Sequence, residues 1–418
     1  MQSSPLTGIN QRIKKNRFTD VTLRLTRPDG RPLSDAELSV EQTAHAFLFG
    51  LAGGIVLSPV ARHFGWSDEQ VAICKERIAE FANFVTLPFY WGRYEPEEGA
   101  PRTEFLRETA VWFREHGVAL KGHTLCWHTA CADWLMKYPN DEILKKQRER
   151  VRREVAGFAG LVDVWDVVNE AVIMPRYDKY DNAITRIAKE YGVEELVEML
   201  FRDARAANPR ATLVLNDFIL SREYEDLVEI LVKRRTPVDA VGLQTHQHQG
   251  YRGAETIWDY AERFGRFGLP LHFTENNIVS GDLMPADIVD LNDYKRADWP
   301  STPEGEERQR EQAVEFYSLL YSHPAVEAVS WWDLADGGWL NAPAGILHRD
   351  LSPKPVYHAL KKLIKGDWWT GRRELKTDAA GEVQLEGAAF GTYRLAAGGG
   401  SLNFQIEKNA AKIDIKLK

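Results

Sequence analysis

Cysteine is scarce in this chain, with three in 418 residues: Cys74, Cys126 and Cys131. A small odd count excludes a disulfide framework. A Cys126–Cys131 bridge and three separate thiols both fit the spacing, and separate thiols are the expectation. Long apolar runs are missing as well. No stretch approaches the roughly 18 consecutive apolar residues of a membrane-spanning helix, so no membrane partner is expected. Positive charge is not in excess: 53 Lys and Arg against 61 Asp and Glu leave a net charge of −8. That balance gives no electrostatic reason to expect nucleic acid or an anionic membrane surface. The N-terminal MQSSPLTGIN has no charged-then-apolar leader pattern. Two placements stay open: cytoplasmic, or secreted or periplasmic with a leader already removed. What the chain does have is aromatic surface, with 13 Trp and 14 Tyr. Aromatic faces suit the apolar C–H patches of sugar rings, although most such residues serve a core.

The most telling stretch is Val162 to Glu170, VDVWDVVNE, a valine-rich run ending in an amide and a carboxylic acid. Such a run reads as a strand buried on both faces, as in a parallel sheet covered by helices. Seven more runs have strand character: Ala46–Gly50, Phe84–Phe89, Ala119–Cys126, Thr212–Asn216, Val238–Thr245, Leu271–Thr274 and Ala325–Trp332. Helical patterns separate them. Ser67 to Gln70 is a capping box before VAICKERIAEF, and GEERQREQAVEFYSLLYS precedes His323-Pro324. Eight strand–helix units over about 320 residues is the count of a (β/α)8 TIM barrel, an α/β fold, expected over residues 45–365. The basic run Lys145 to Arg153 carries interleaved glutamates and reads as a solvated helix face.

The ends have a different texture. Phe18 to Thr43 alternates around the turn Pro28-Asp29-Gly30 and reads as a hairpin-like β segment. From Trp368 onward, short alternating runs are punctuated by glycines. Neither piece is large enough for its own core. Residues 18–44 and 366–418 are therefore expected to meet as one small accessory β-sandwich, a structural cap rather than a sugar-binding module.

In a barrel of this kind the residues after each strand converge on one face. Here they are His123 to His128, Asn169-Glu170, Gln244 to His248, Glu275, and Trp331-Trp332 with Trp339 beyond. Two carboxylic acids, several amides and imidazoles and a wall of tryptophan suit cleavage of a glycosidic bond. One acid protonates the leaving oxygen while the other attacks or stabilises the anomeric carbon. Apolar surroundings raise one carboxyl while hydrogen-bond donors keep the other ionised. His123, His128, His246 and His248 together offer a metal alternative. The amides and glutamates account for the set better, so neither metal nor cofactor is expected.

The ensemble resembles glycoside hydrolase family 10, the retaining endo-β-1,4-xylanases. The matching pieces are GHTLCWH (Gly122–His128), WDVVNE (Trp165–Glu170), LND (Leu215–Asp217), GLQTH (Gly242–His246), Thr274-Glu275 and the eight-residue separation of Trp331 and Trp339. The resemblance covers roughly residues 46–364. It implies Glu170 as general acid/base and Glu275 as nucleophile, with carboxyl groups about 5–5.5 Å apart. It further implies that Asn169 holds the sugar 2-hydroxyl and that His246 hydrogen-bonds the nucleophile. His123, Trp127, Gln244, Trp331 and Trp339 would complete the substrate site. The chain departs from the family pattern twice. After the second strand, Leu87 to Arg93 (LPFYWGR) stands where the family carries a Glu-Asn pair and a lysine. After His128, Thr129-Ala130-Cys131-Ala132 replaces Ser-Gln-x-Pro. Tyr90, Trp91 and Arg93 thus become the candidates for the glycone side. The expected activity is hydrolysis of β-1,4-xylosidic bonds by double displacement. The alternatives are the same mechanism on another β-linked glycan or a decorated xylan oligosaccharide, and a non-catalytic carbohydrate-binding protein.

Overall fold

The protein is described from a computed structural model covering residues 4–53 and 65–417. Fifteen strands are formed among them. The first two, β1 (Phe18–Thr26) and β2 (Glu37–His45), lie outside the main sheet. The next eight close on themselves: β3 (Leu48–Ala52), β4 (Phe84–Pro88), β5 (Ala119–Cys126), β6 (Val164–Asn169), β7 (Thr212–Asp217), β8 (Ala240–Gln247), β9 (Leu271–Ile278) and β10 (Val326–Trp331). Every neighbouring pair is parallel, and the ring closes through Ala328 to Trp331 of β10 beside Leu48 to Leu51 of β3. With helices between the strands, this is a (β/α)8 barrel.

The strands read as near-continuous apolar runs because both faces are covered. Val167, Val168, Leu213, Val214 and Leu215 are all fully buried. Local chemistry sets where the helices begin. Ser67 and Gln70 form a reciprocal capping box before Asp68–Ala79. The Asn182, Ser221 and Thr302 side chains each accept a backbone N–H at the next three N-termini of this kind. Each such cap is worth about 1 kcal/mol.

The remaining strands, β11 (Arg373–Lys376), β12 (Glu382–Ala389), β13 (Gly391–Ala397), β14 (Gly400–Ile406) and β15 (Lys412–Lys416), combine with β1 and β2. They form two sheets, ordered β12-β1-β15 and β11-β2-β13-β14, around a shared core that includes Val21, Leu23, Val40, Tyr393 and Leu395. The hairpin expected over 18–43 does not form. β1 pairs with β12 and β15, while β2 pairs with β11 and β13. The Asp29-Gly30 turn carries the chain from one sheet to the other, because partners from the C-terminal segment complete each strand better than the two strands complete each other.

A helix not anticipated from the sequence, Ile9–Arg17, ties this unit to the barrel. The buried Arg17 guanidinium donates to the carbonyls of Tyr321, His323 and Val326 at 2.6, 2.6 and 2.7 Å. Trp368 stacks on Tyr321 with centroids 4.4 Å apart, and His45 Nε2 lies 2.7 Å from the Ile364 carbonyl oxygen. All of these contacts gather where β3 and β10 begin, at the end of the barrel opposite the strand tips.

Candidate active site

The strand tips assemble the site, and small irregularities in pairing aim the side chains. A slip between Leu243 and Gln244 of β8 sets Gln244 directly opposite Glu275 of β9. At the end of β6, Glu170 takes a left-handed backbone (φ 57°), and its N–H donates to the Asn216 carbonyl at 2.8 Å. Gly242 matters for a different reason. A Cβ there would stand 2.4 Å from Asn216 Oδ1, so glycine leaves the room that the Asn216 amide occupies.

One hydrogen-bonded chain links the two carboxyl groups. Asn216 Nδ2 donates to Glu275 Oε1 and to Asn169 Oδ1, both at 2.8 Å. Gln244 Nε2 donates to the same Asn169 oxygen at 3.0 Å and reaches Glu170 Oε1 at 3.4 Å. Thr274 Oγ1 fixes the amide from behind by donating to Asn216 Oδ1 at 2.6 Å. Both glutamates are withdrawn from water, with side-chain exposures of 13% and 5%.

Their electrostatics differ. Burial drives the Glu170 carboxyl up to about 8, and the charges of Glu275 and Asp217 add to the rise; Trp127 Nε1, donating at 2.7 Å, opposes it. Burial pushes Glu275 upward too, yet its carboxyl lies below the ordinary range. His123 (Nδ1 to Oε1, 3.9 Å), His246 (Nε2 to Oε2, 3.2 Å) and the Lys121 charge outweigh the desolvation. An acceptor-only carboxylate requires His246 to present Nε2–H to it. Behind His123 lies a fully buried pair: Asp166 Oδ2 takes the Lys121 ammonium at 2.8 Å and His123 Nδ1 at 2.7 Å. One carboxyl is thus held neutral and its neighbour ionised in a single buried site, the pattern that acid and nucleophile roles demand.

The aromatic walls divide between site and core. Trp127 touches Glu170, and the Trp339 ring lies 4.6 Å from His246. Tyr90 sits 5.5 Å from His123 and 5.6 Å from Trp127, with the exposed Arg93 guanidinium 5.5 Å over its ring. Two expected site residues point elsewhere. Trp331 is fully buried, donates Nε1 to the Ala344 carbonyl at 2.9 Å and packs on Tyr317. Successive residues of a strand face opposite ways, and it is Trp332 that meets His123 and His246, at 5.3 and 6.0 Å. Trp91 is likewise buried, bonded to Glu95 Oε2 at 3.0 Å and lying under the Arg150 guanidinium, which holds the carbonyls of Phe89 and Leu125.

The two departures of sequence meet in one surface. The Gly92 N–H donates to the Ala130 carbonyl at 2.8 Å, and a Cβ on Gly92 would lie 2.7 Å from Cys131 O. The loop after β4 therefore packs directly on the altered loop after β5. Sequence reasoning gave no site role to Asn216, Asp166 or Lys121, and it set Trp332 at the strand tip without choosing it over Trp331. Asn216 and Asp166 carried a signal, each being a polar residue at or near the tip of an apolar strand. Lys121 and Trp332 carried none without knowledge of which face each strand turns inward. Among the described residues no three His, Cys, Asp or Glu side chains converge as a metal site, and all three cysteines are unpaired.

Fold and site together define a (β/α)8 barrel with a polarised carboxylate pair at the C-terminal mouth of its strands. The model of glycosyl hydrolase family 10 matches residues 82–363. The chain belongs to that family. Endo-1,4-beta-xylanase C of Paenibacillus barcinonensis is 27% identical over 282 residues, covering 59% of this chain. The match spans only 25% of that relative's own length. The anti-sigma-I factor RsgI6 of Acetivibrio thermocellus is 23% identical over 423 residues, covering 97% of this chain and 49% of that protein. Among solved structures, xylanase 10B of Thermotoga petrophila RKU-1 in complex with xylobiose matches with a TM-score of 0.61 at 23% identity, covering 77% of this chain and 95% of that one.

Proposed function

We propose that this protein is a retaining glycoside hydrolase acting on β-1,4-linked xylan-type chains, with Glu275 as nucleophile and Glu170 as acid/base. The observation that carries the reading is the opposite polarisation of two carboxyl groups joined through Asn169 and Asn216. Glu275, ionised, attacks the anomeric carbon while Glu170, protonated, delivers its proton to the leaving oxygen. The ester that forms removes the Glu275 charge, so Glu170 becomes easier to ionise and then takes a proton from the attacking water. Asn169 shares the Asn216 amide with the nucleophile and would hold the 2-hydroxyl, and Trp127, Trp332 and Trp339 would supply ring faces for the sugar. The test is product analysis on xylan and its arabinose- or glucuronate-decorated forms, followed by proton NMR during the first turnovers. First-formed β-anomer supports the reading, and α-anomer contradicts it.

Two further readings rest on particular observations. The rebuilt rim of Tyr90 and Arg93 favours the same chemistry on a different β-linked glycan, which release from another member of a polysaccharide panel, but not from xylan, would establish. The relative matching 97% of this chain carries the name of an anti-sigma factor and not of an enzyme, which favours a reading in which the same cleft binds a glycan without turnover. Calorimetric binding with no release of reducing sugar from any member of that panel would establish that one.

A further inference from the structure

The segment after β9, residues 279–302, does not lie loosely on the barrel. Val279, Met284 and Trp299 are buried in a small core of their own with Ala342 and Ala344 from the segment after β10. Gln249 of the β8 loop donates to the carbonyls of Pro285 and Ile288 at 2.9 and 2.8 Å. The tip of the segment faces two ways. Asn292 accepts the indole N–H of Trp339 at 3.3 Å, and Trp339 lies against His246 beside the Glu275 carboxylate. From the other bank, Lys179 of the β6 loop reaches Asp290 at 2.5 Å and Asp293 at 2.7 Å. Two residues before Lys179, the Tyr177 ring stands 4.3 Å from His128, whose Nε2 is 3.8 Å from Glu170 Oε2.

These contacts make an unbroken path from the Glu170 side to the Glu275 side. β6 and β9 are the fourth and seventh staves of the barrel, with β7 and β8 between them, so the ion pairs join banks that the sheet itself keeps apart. The path leaves the acid's flank, and a leaving group must lie on that flank to receive its proton. We infer that the 279–302 strap, pinned by Lys179, bars the leaving-group side of the mouth. The enzyme then accepts small leaving groups, at chain ends and in short oligosaccharides, in preference to bonds inside long chains. This deepens the glycosidase reading and rests on it.

The clasp is exposed, with Lys179 and Asp293 at 39% and 66% side-chain exposure. It therefore opens at modest cost, and salt screens it. The experiment compares kcat/KM on polymeric xylan with kcat/KM on 4-nitrophenyl β-xylobioside for wild type, Lys179→Ala and the double variant Asp290→Asn/Asp293→Asn. The polymer-to-aryl ratio is expected to rise roughly three- to tenfold in both variants, the scale of one or two exposed ion pairs. Aryl hydrolysis should stay unchanged, and added salt should raise the wild-type ratio in the same direction. Reduced-end-labelled xylohexaose should give mid-chain cuts only when the clasp is removed. Intact aryl hydrolysis with an unmoved ratio, or wild-type mid-chain cleavage at the variants' rate, overturns the inference alone. A wild type that hydrolyses no aryl glycoside overturns the parent reading, and this one with it.

Discussion

Glu170 and Glu275 sit at the tips of two strands of one barrel, both buried and both reached by the same amide chain, yet their carboxyl groups move in opposite directions. Burial alone does not separate them, since it raises each. The difference is what surrounds the charge. Glu275 meets an amide N–H and two imidazoles, with the Lys121 ammonium behind them; Glu170 meets one indole N–H, a long amide contact and, at 3.8 Å, the His128 imidazole, which burial keeps neutral. A carboxylate supplied with donors and positive charge stays ionised, and one left with apolar walls and negative neighbours keeps its proton. Removing the components of that asymmetry one at a time should separate the two roles.

The largest effect is expected from the ionised member. Glu275→Gln should lower kcat by about 10⁴ or more, the scale for losing a nucleophile. Glu275→Gly should recover part of the rate in azide and release a glycosyl azide of inverted configuration. Wild-type-like turnover by the glutamine variant would remove Glu275 from the mechanism. Removing the neutral member should depend on the substrate instead. Glu170→Gln should cost roughly 10³ in kcat/KM on xylo-oligosaccharides and far less in kcat/KM on a dinitrophenyl glycoside, whose leaving group needs no proton. An equal loss on both substrates would mean that Glu170 is not the acid.

Asn216 is the hinge of the comparison, since one amide serves Glu275 and Asn169 together. Asn216→Ala should cost about 10²-fold in kcat/KM, the scale of one oriented donor lost from a preorganised site. The sign of the accompanying pH change is fixed. The proposed mechanism needs Glu275 ionised, and its carboxyl lies below the ordinary range, so the acid limb of kcat/KM should fall at low pH. Withdrawing a donor lifts that carboxyl and moves the acid limb upward. An acid limb that stays in place would show that the imidazoles hold the charge without the amide.

How far the sequence foretold this site follows from what local pattern encodes. Runs such as VDVWDVVNE announce both the parallel strand and the residues at its tip, because burial on both faces leaves only the end free for polar chemistry. The capping box at Ser67 was equally plain, being a purely local exchange of hydrogen bonds. Facing was not plain. Trp331 and Trp332 are indistinguishable by composition, and a register slip in the β9–β10 pairing between Val329 and Trp331 helps decide which ring reaches the cleft. Pairing was hidden for a similar reason: β1 and β2 read as a hairpin, while their partners lie more than 300 residues away. The contact between Gly92 and the Ala130–Cys131 backbone shows the same limit, since two distant departures in sequence form one surface.

The smallest effect belongs to Trp127, and it isolates the acid. Its indole N–H is the shortest donor to Glu170, at 2.7 Å, and it draws the carboxyl down against the burial that lifts it to about 8. Trp127→Phe keeps a ring face for the sugar and removes only that donor. The proposed acid role requires Glu170 protonated, so the alkaline limb of kcat/KM, expected near pH 8 in the wild type, should move to higher pH in the variant. The plateau rate should fall about tenfold or less, because an acid with a raised pKa gives up its proton less readily. The acid limb, governed by Glu275, should not move. A variant whose acid limb shifted while its alkaline limb stayed fixed would place the Trp127 bond on the nucleophile's side and reverse the roles of the two carboxyl groups.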